Sequence, residues 1–457
     1  MEKWKRQMEE LPKGWVKCSL PESCDLIMGQ SPPSSTYNTN GIGLPFYQGK
    51  TEFGELYPTP EKYCSEPNKI AEKGDILISI RAPVGPTNIS PHQSCIGRGL
   101  TAIRPLNKIK SKFILYLFRN IEPIISKQGT GTTFKAITKD FLTDLELNLP
   151  PLPEQHRIVA KIEELFSDLD NGIEQLKTAQ QQLKVYRQAV LKWAFEGKLT
   201  NKWRETHHVE PAERLLEQIK TARENRYQQQ LEDWQLAIEE WETNGSQGGK
   251  PARPQKPKEL PPLSEDELAE LPKLPEGWFW VRLGELTWSV KDGPHYSPKY
   301  AEHGIPFITG GNVRPSGVDF LNVKYITPEL YDELSKRCKP ELGDILYTKG
   351  GTTGIARVNT YNFEFNVWVH VAVLKTVESI DPFYLQHALN SPFCHSQSQK
   401  FTHGVGNQDL GLTRMVNIVL AFCNKEEQHQ IVQDIETRLS ICDNIEVNIT
   451  DVPQVEF

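Results

Sequence analysis

Cysteine is scarce in this chain and falls in no useful pattern. The eight residues at 18, 24, 64, 95, 338, 394, 423 and 442 form no Cys-x-x-Cys pair and adjoin no His-rich run, which argues against a zinc site and a disulfide framework. Reduced thiols and no bound metal are expected. A long apolar run is lacking too. Nothing approaches the ~18 to 20 residues that a membrane span requires, and residues 1–10 are charged where a signal peptide would be apolar. The expectation is a soluble, cytoplasmic protein with no membrane role. Also missing is a strand-to-helix glycine loop of the Gly-x-Gly-x-x-Gly type, so no cofactor is expected on this chain.

Positive charge is short as well. A net charge of -7 is a poor balance for a protein that neutralises phosphates. Where the charge lies matters more than its sum. Residues 11–150 carry sixteen Lys and Arg against twelve Asp and Glu, and residues 274–420 carry thirteen against fourteen. The acid is concentrated elsewhere, with eighteen against twenty-two over 154–273 and two against eight over 421–457. Nucleic-acid binding by the two balanced stretches is weakened but not excluded.

What is present is a duplication. Leu11-Pro-Lys-Gly-Trp15 returns as Leu274-Pro-Glu-Gly-Trp278, Gly43-Leu-Pro-Phe46 as Gly304-Ile-Pro-Phe307, and Gly74-Asp-Ile-Leu77 as Gly343-Asp-Ile-Leu346. Glu154-Gln-His-Arg-Ile-Val159 returns as Glu427-Gln-His-Gln-Ile-Val432. The offsets, 261 to 273 residues, are those of a whole domain rather than a solenoid repeat. With 457 residues, 38% of them hydrophobic, the chain has material for more than one core. Two pseudo-symmetric copies are predicted.

Each copy opens as short strands and turns. Asp75-Ile-Leu-Ile-Ser-Ile80 and Asp344-Ile-Leu-Tyr-Thr348 are apolar, β-branched runs entered through a glycine, and short helices are predicted over 111–119 and 382–389. Each copy then changes character. Ile158, Ile162, Leu165, Leu169, Gly172, Leu176, Ala179, Leu183, Tyr186, Val190 and Trp193 lie on alternating steps of four and three, a coiled-coil seam on a helix running from 154 to about 196 and ~60 Å long. The second copy keeps the seam as Ile431, Ile435, Cys442, Ile445 and Ile449, with Arg438 in the place of Leu165. Since a lone seam exposes apolar surface, the two helices are expected to bury it on each other as an antiparallel pair. The second has no counterpart of 187–198, so an asymmetric spacer is expected. Between the copies, 210–241 is charged and helix-favouring, and 244–258 is a Gly, Pro and Lys linker that packs no core. Trp234 and Trp241, seven residues apart, are expected to pack one helical face on a neighbour.

Leu149-Pro-Pro-Leu-Pro-Glu-Gln-His-Arg-Ile-Val159, opening a heptad helix that ends in Ala194-Phe-Glu-Gly-Lys-Leu199, resembles the conserved region of specificity subunits of type I restriction-modification systems. The duplicated Leu-Pro-x-Gly-Trp opening and Gly-Asp-Ile-Leu strand are similar to that family's target-recognition domains. The resemblance implies an α+β fold: two duplicated mixed α/β target-recognition domains separated by two long antiparallel coiled-coil helices, with pseudo-twofold symmetry. Its divisions are expected at 1–150, 151–199, 200–273, 274–422 and 423–457. It further implies double-stranded DNA read as a bipartite site, with the helices setting the unread gap. The partners it implies are two methyltransferase subunits that bind S-adenosylmethionine, and restriction or motor subunits that use ATP and Mg. Methyl transfer and cleavage would belong to those partners. The rival classes are a protein-only coiled-coil adaptor and a stand-alone methyltransferase or nuclease.

Candidates for chemistry on the chain itself are weak. Asp381-Pro-Phe-Tyr384 resembles a methyltransferase base-binding loop, yet it suits an N-cap with proline in the first turn better, and the first copy has no Asp-Pro there. Lys349-Gly-Gly-Thr-Thr-Gly354 has its lysine at the wrong end for a phosphate loop, which leaves a turn or a DNA-contacting loop. A basic residue also follows the strand in the first copy, Arg81. Arg81 and Lys349 are therefore the first DNA-binding candidates, with Lys50 and Asn312 in an earlier pair of matched turns. Gln155, His156, Gln428 and His429 are assigned to the helix starts as hinge or subunit contacts rather than to metal binding or catalysis.

Overall fold

The structure, a computed structural model, describes residues 11–128, 136–207, 210–256, 259–404 and 408–450. It divides into two compact units, 1–175 and 176–457.

The first unit is built on a four-stranded antiparallel sheet in the order Cys24–Met28, Leu100–Pro105, Ile76–Ser79, Thr87–Ile89. Its central strand is apolar at successive positions because both faces are covered. Ile76 and Ile78 face helix α1, Ser111–Gln128, and meet Phe113, Ile114 and Phe118 in one core. Leu77, on the opposite face, joins Tyr47, Ala71 and Ile96 of a second, five-stranded sheet. In that sheet Leu44–Tyr47 pairs antiparallel with Lys62–Cys64 and parallel with Ser94–Ile96. The strands Val16–Ser19 and Glu146–Leu149 pair antiparallel and join the two ends of the domain.

The second unit repeats the four-stranded sheet and the two-stranded pair, but its other sheet has three strands where the first unit has five, and Val313–Arg314 pairs separately with Gly317–Val318. Thr287–Asp292, Val371–Thr376, Ile345–Thr348 and Ala356–Val358 form the antiparallel sheet, and Phe279–Arg282 pairs with Val419–Phe422. Ile305–Ile308 again has one antiparallel neighbour, Lys324–Ile326, and one parallel neighbour, Asn366–Val367. The alternation of burial is repeated as well: Ile345 and Tyr347 face one core and Leu346 another. Each central strand starts at a buried aspartate. Asp75 accepts the Glu72 amide at 2.8 Å and pairs with Arg104, while Asp344 accepts the Glu341 amide at 2.8 Å and pairs with Lys375. All eight cysteines are free thiols.

Helix α2, Leu152–Phe195, and a later helix, Lys425–Thr450, start in the same way. Gln155 is buried, donates to the Pro150 carbonyl at 3.0 Å and accepts the Lys110 amide at 3.1 Å. Gln428 donates to the Cys423 carbonyl at 2.8 Å and accepts the Asp381 amide at 3.4 Å. One glutamine thus clamps each long helix to its domain, and His156 and His429 beside them are exposed.

Within the second unit the two long helices are in contact and antiparallel. Arg187 pairs with Asp443 at 2.7 Å and Glu446 at 2.8 Å, while beyond the end of α2 Thr200 and Arg204 reach back to Glu427. Val190, Leu191, Ala194 and Phe195 share a core with Ile431, Val432 and Ile435, and Leu176 and Leu183 are half-buried. In the first unit Ile158 packs on the domain core and Ile162 is half-buried, but Leu165 and Leu169 are 53% and 39% exposed. Heptad spacing specifies which side chains share a face, not whether another helix lies on it.

The inserted helix α3, Ala212–Thr243, sinks Ala212, Leu215 and Ile219 into the second unit's core. Its two tryptophans dock the linker that follows. Trp234 donates to Pro251 at 3.0 Å beneath Arg253, and Trp241 donates to Gly248 at 3.3 Å beneath Lys250.

The joint at Glu427 is fully buried. Its carboxylate accepts the Trp278 indole at 2.8 Å, the Thr200 hydroxyl at 2.7 Å and the Arg204 guanidinium. Removing one partner of such a cluster strands the others in a low-dielectric interior, so Glu427→Ala should lower the unfolding free energy of the second unit by about 3–5 kcal/mol, measured by urea unfolding.

Candidate nucleic-acid interface

In the first unit, residues at one end of the sheets carry exposed cations. Lys50 is the first residue of a short 3-10 turn, Lys50–Glu52, whose Glu52 caps the Gly49 amide at 3.0 Å. Arg81 follows the strand Ile76–Ser79, where its backbone bridges to Ala136 and the neighbouring Ile137 amide donates to Ile80 at 3.0 Å. Glu122 of helix α1 lies between them. Burial pushes its carboxyl up, the positive charges of Lys50 and Arg119 pull it part of the way back, and its side chain packs on Gly85 of the loop that Arg81 opens. The structure therefore brings Lys50 and the Arg81 loop together, with Arg119 beside them.

The second unit uses the same positions differently. Lys349 is 2% exposed, and its Nζ donates to Asp409 at 2.7 Å and to the Val369 carbonyl at 3.2 Å, with Asp292 at 3.4 Å. Backbone bonds identify its counterpart. Lys349 donates to His370 and accepts from Leu410, as Ile80 donates to Gly99 and accepts from Ile137. By register Asp292 then stands where the first unit has Met28. Lys349 thus corresponds to Ile80, and Gly350 to Arg81. The pairing of Arg81 with Lys349 on position alone is corrected, since a count from the strand's end misses the inward turn of one side chain.

Asn312 is also committed inward. Its Oδ1 accepts the Thr309 amide and hydroxyl, each at 2.9 Å, and its Nδ2 donates to Asp319 at 3.1 Å and Asn322 at 3.0 Å. It fills the place of the capping Glu52 and has no polar group left over to read a base.

Burial works against ionisation of the Asp292 carboxyl. The Arg337 hydrogen bond at 2.7 Å and the Lys349 and His295 charges outweigh it and hold the group below the usual aspartate range. Arg337 and His295 are themselves exposed, and sequence reading missed both. Arg337 reaches Asp292 and His295 from a segment more than forty residues away, with its guanidinium 3.4 Å from the His295 ring, so no local spacing signalled the group.

Asp381 is an N-cap. Its carboxylate accepts the amides of Phe383 at 2.8 Å and Tyr384 at 3.4 Å at the start of helix α4, Pro382–Asn390, and Tyr384 is buried against Ala421. Lys349-Gly-Gly-Thr-Thr-Gly354 is a turn between two strands of the sheet, with Gly354 at φ +96° donating to Thr348. Among the described residues no group of His, Cys, Asp or Glu is placed to hold a metal ion, and no helix is long and apolar enough to cross a membrane.

The profile of the type I restriction modification DNA specificity domain matches this chain twice, at residues 12–183 and 275–452. The chain belongs to that family and is a specificity subunit carrying two copies of the family's domain. It is similar to the putative type I restriction enzyme MjaX specificity subunit of Methanocaldococcus jannaschii, 40% identical over 198 residues that span 43% of this chain and 46% of that one. With the EcoBI specificity subunit of Escherichia coli it is 23% identical over 450 residues, 96% of this chain and 82% of the relative. The crystal structure of the HsdS subunit of Thermoanaerobacter tengcongensis is 49% identical over 36% of this chain and 40% of that one, with a TM-score of 0.33.

The Lys349–Asp292 pair can be tested against its apolar counterpart. Lys349→Met alone leaves a buried carboxylate and should cost about 3–5 kcal/mol, whereas Lys349→Ile with Asp292→Met, which copies Ile80 and Met28, should be neutral or stabilising in urea unfolding. The sign with pH follows from the depressed carboxyl: stability from Asp292 is present above about pH 5 and is lost as pH falls below its unfolded value near 4. The gap in urea midpoint between the native chain and Asp292→Asn should therefore narrow below about pH 4.

Proposed function

We propose that this chain reads a bipartite double-stranded DNA site, one half with each domain, and scaffolds two methyltransferase subunits and the restriction or motor subunits. S-adenosylmethionine, ATP and Mg bind those partners, and this chain contributes recognition alone. The observation that carries the reading is that two domains whose four-stranded sheets share one strand order place corresponding loops at the end of those sheets while differing in what the loops present. A shared scaffold with divergent loops suits two half-sites of different sequence.

In the first domain the contacts are assigned to Lys50 and Arg81, both exposed. Lys50 suits a phosphate and Arg81, with its planar fork, a guanine edge. In the second domain Lys349 and Asn312 act by holding their loops in shape. The exposed Arg337 guanidinium at Asp292, with the His295 ring beside it, is assigned to the contact there. His156 and His429, exposed at the starts of the long helices, are assigned to contacts with the subunits that dock there.

The test is to express the chain with its neighbouring methyltransferase and map modified bases in the host genome. Exchange of residues 11–150 for those of a relative should change one half of the motif and leave the other, and exchange of 274–420 should do the converse. Arg81→Ala should relax selection at one base pair, costing about 1–3 kcal/mol there, whereas Lys50→Ala should weaken binding to all sequences and lower the salt slope by about one. A gel shift with no sequence preference, even with the methyltransferase present, would instead identify a protein-only adaptor.

A further inference from the structure

The two Leu-Pro-x-Gly-Trp turns are alike in backbone and unlike in company. Trp278 donates its amide to Pro275 at 3.2 Å after Gly277 at φ +80°, and Trp15 donates to Pro12 at 3.0 Å after Gly14 at φ +92°. In each unit the tryptophan leads into the strand that pairs with the segment preceding a long helix, and that helix carries a glutamate just before its clamping glutamine: Glu427 and Glu154.

In the second unit this corner receives a segment. Just past helix α2 the chain turns at Gly197, at φ +69°, where a Cβ would strike Pro275, and continues across the turn to Thr200 and Arg204. Thr200 and Arg204 donate to one Glu427 oxygen, Trp278 donates to the other, and Arg204 also bonds the Gly197 carbonyl and lies over the Trp278 ring. In the first unit the same corner has the same receptor groups. The Trp15 indole N–H is inaccessible to water and has no acceptor, and the half-buried Glu154 carboxylate has no hydrogen bond or ion pair among the described residues. Buried donors without acceptors are rare in native folds and mark a place where a partner group belongs.

We propose that Trp15 and Glu154 form a docking site for a polypeptide segment of the same chemistry as Gly197–Arg204: a glycine-terminated helix end followed by a hydroxyl and a guanidinium four residues apart. Glu154 turns to accept both donors with one oxygen and the Trp15 indole with the other. The carboxylate selects a cationic segment, and the glycine is required because the proline of the turn leaves no space for a side chain. The proposal is independent of the DNA reading, and a chain that binds no DNA could still show it.

The probe is a synthetic peptide of residues 187–207 of this chain, added to the full chain labelled with 15N-tryptophan, with the Trp15 indole resonance assigned through Trp15→Phe. The expected result is a saturable downfield shift of the Trp15 indole proton. Glu154→Gln in the chain, or Arg204→Gln in the peptide, should each weaken binding at least about tenfold. Absence of a saturable Trp15 shift at about 1 mM peptide overturns the proposal. So does a shift confined to Trp278, or an affinity indifferent to both substitutions.

Discussion

A carboxylate taken out of water costs several kcal/mol unless its oxygens are fully used. Glu427 is buried completely because an indole, a hydroxyl and a guanidinium converge on it from the domain opening and from the segment just past helix α2. Three stretches far apart in sequence are thereby joined at one point. The antiparallel contact of the long helices, the Gln428 clamp and the register of Phe279–Arg282 on Val419–Phe422 all meet around this joint. A hydrophobic seam alone resists sliding weakly, whereas a directional cluster of charge-assisted bonds has one geometry.

The loops that follow the central strands show how duplicated scaffolds diverge without losing their fold. At one matched position the first domain has Ile80 beside Met28, and the second has Lys349 beside Asp292. The exchange keeps the interior filled and adds a network that pins Asp409 and gathers Arg337 and His295 at the rim. The second domain thus holds its loop by charge where the first holds it by apolar packing. A similar exchange sets Asn312 in the capping place of Glu52.

Much of this was legible from residue order. The repeat of four motifs at domain-length offsets announced two copies, and the strand runs at Asp75 and Asp344 fell where expected because apolar, β-branched residues bounded by glycine have few other solutions. Asp381 before Pro382 read as a cap for the same local reason. Lys349 and Asn312 did not read correctly. Each looks like an available polar side chain in a loop, and each is consumed by partners that local spacing cannot locate. Leu165 and Leu169 sit on the heptad face as spaced but remain largely exposed.

By itself the sequence determined what depends on neighbours along the chain: the duplication, the central strands, the two long helices, the helix caps, and the family resemblance that these motifs carry. The tertiary structure decided which polar side chains point outward and which are engaged inside, because that depends on groups brought together from distant segments. Burial of a charge is tolerated only when all its partners arrive together, and their arrival is a property of the folded chain.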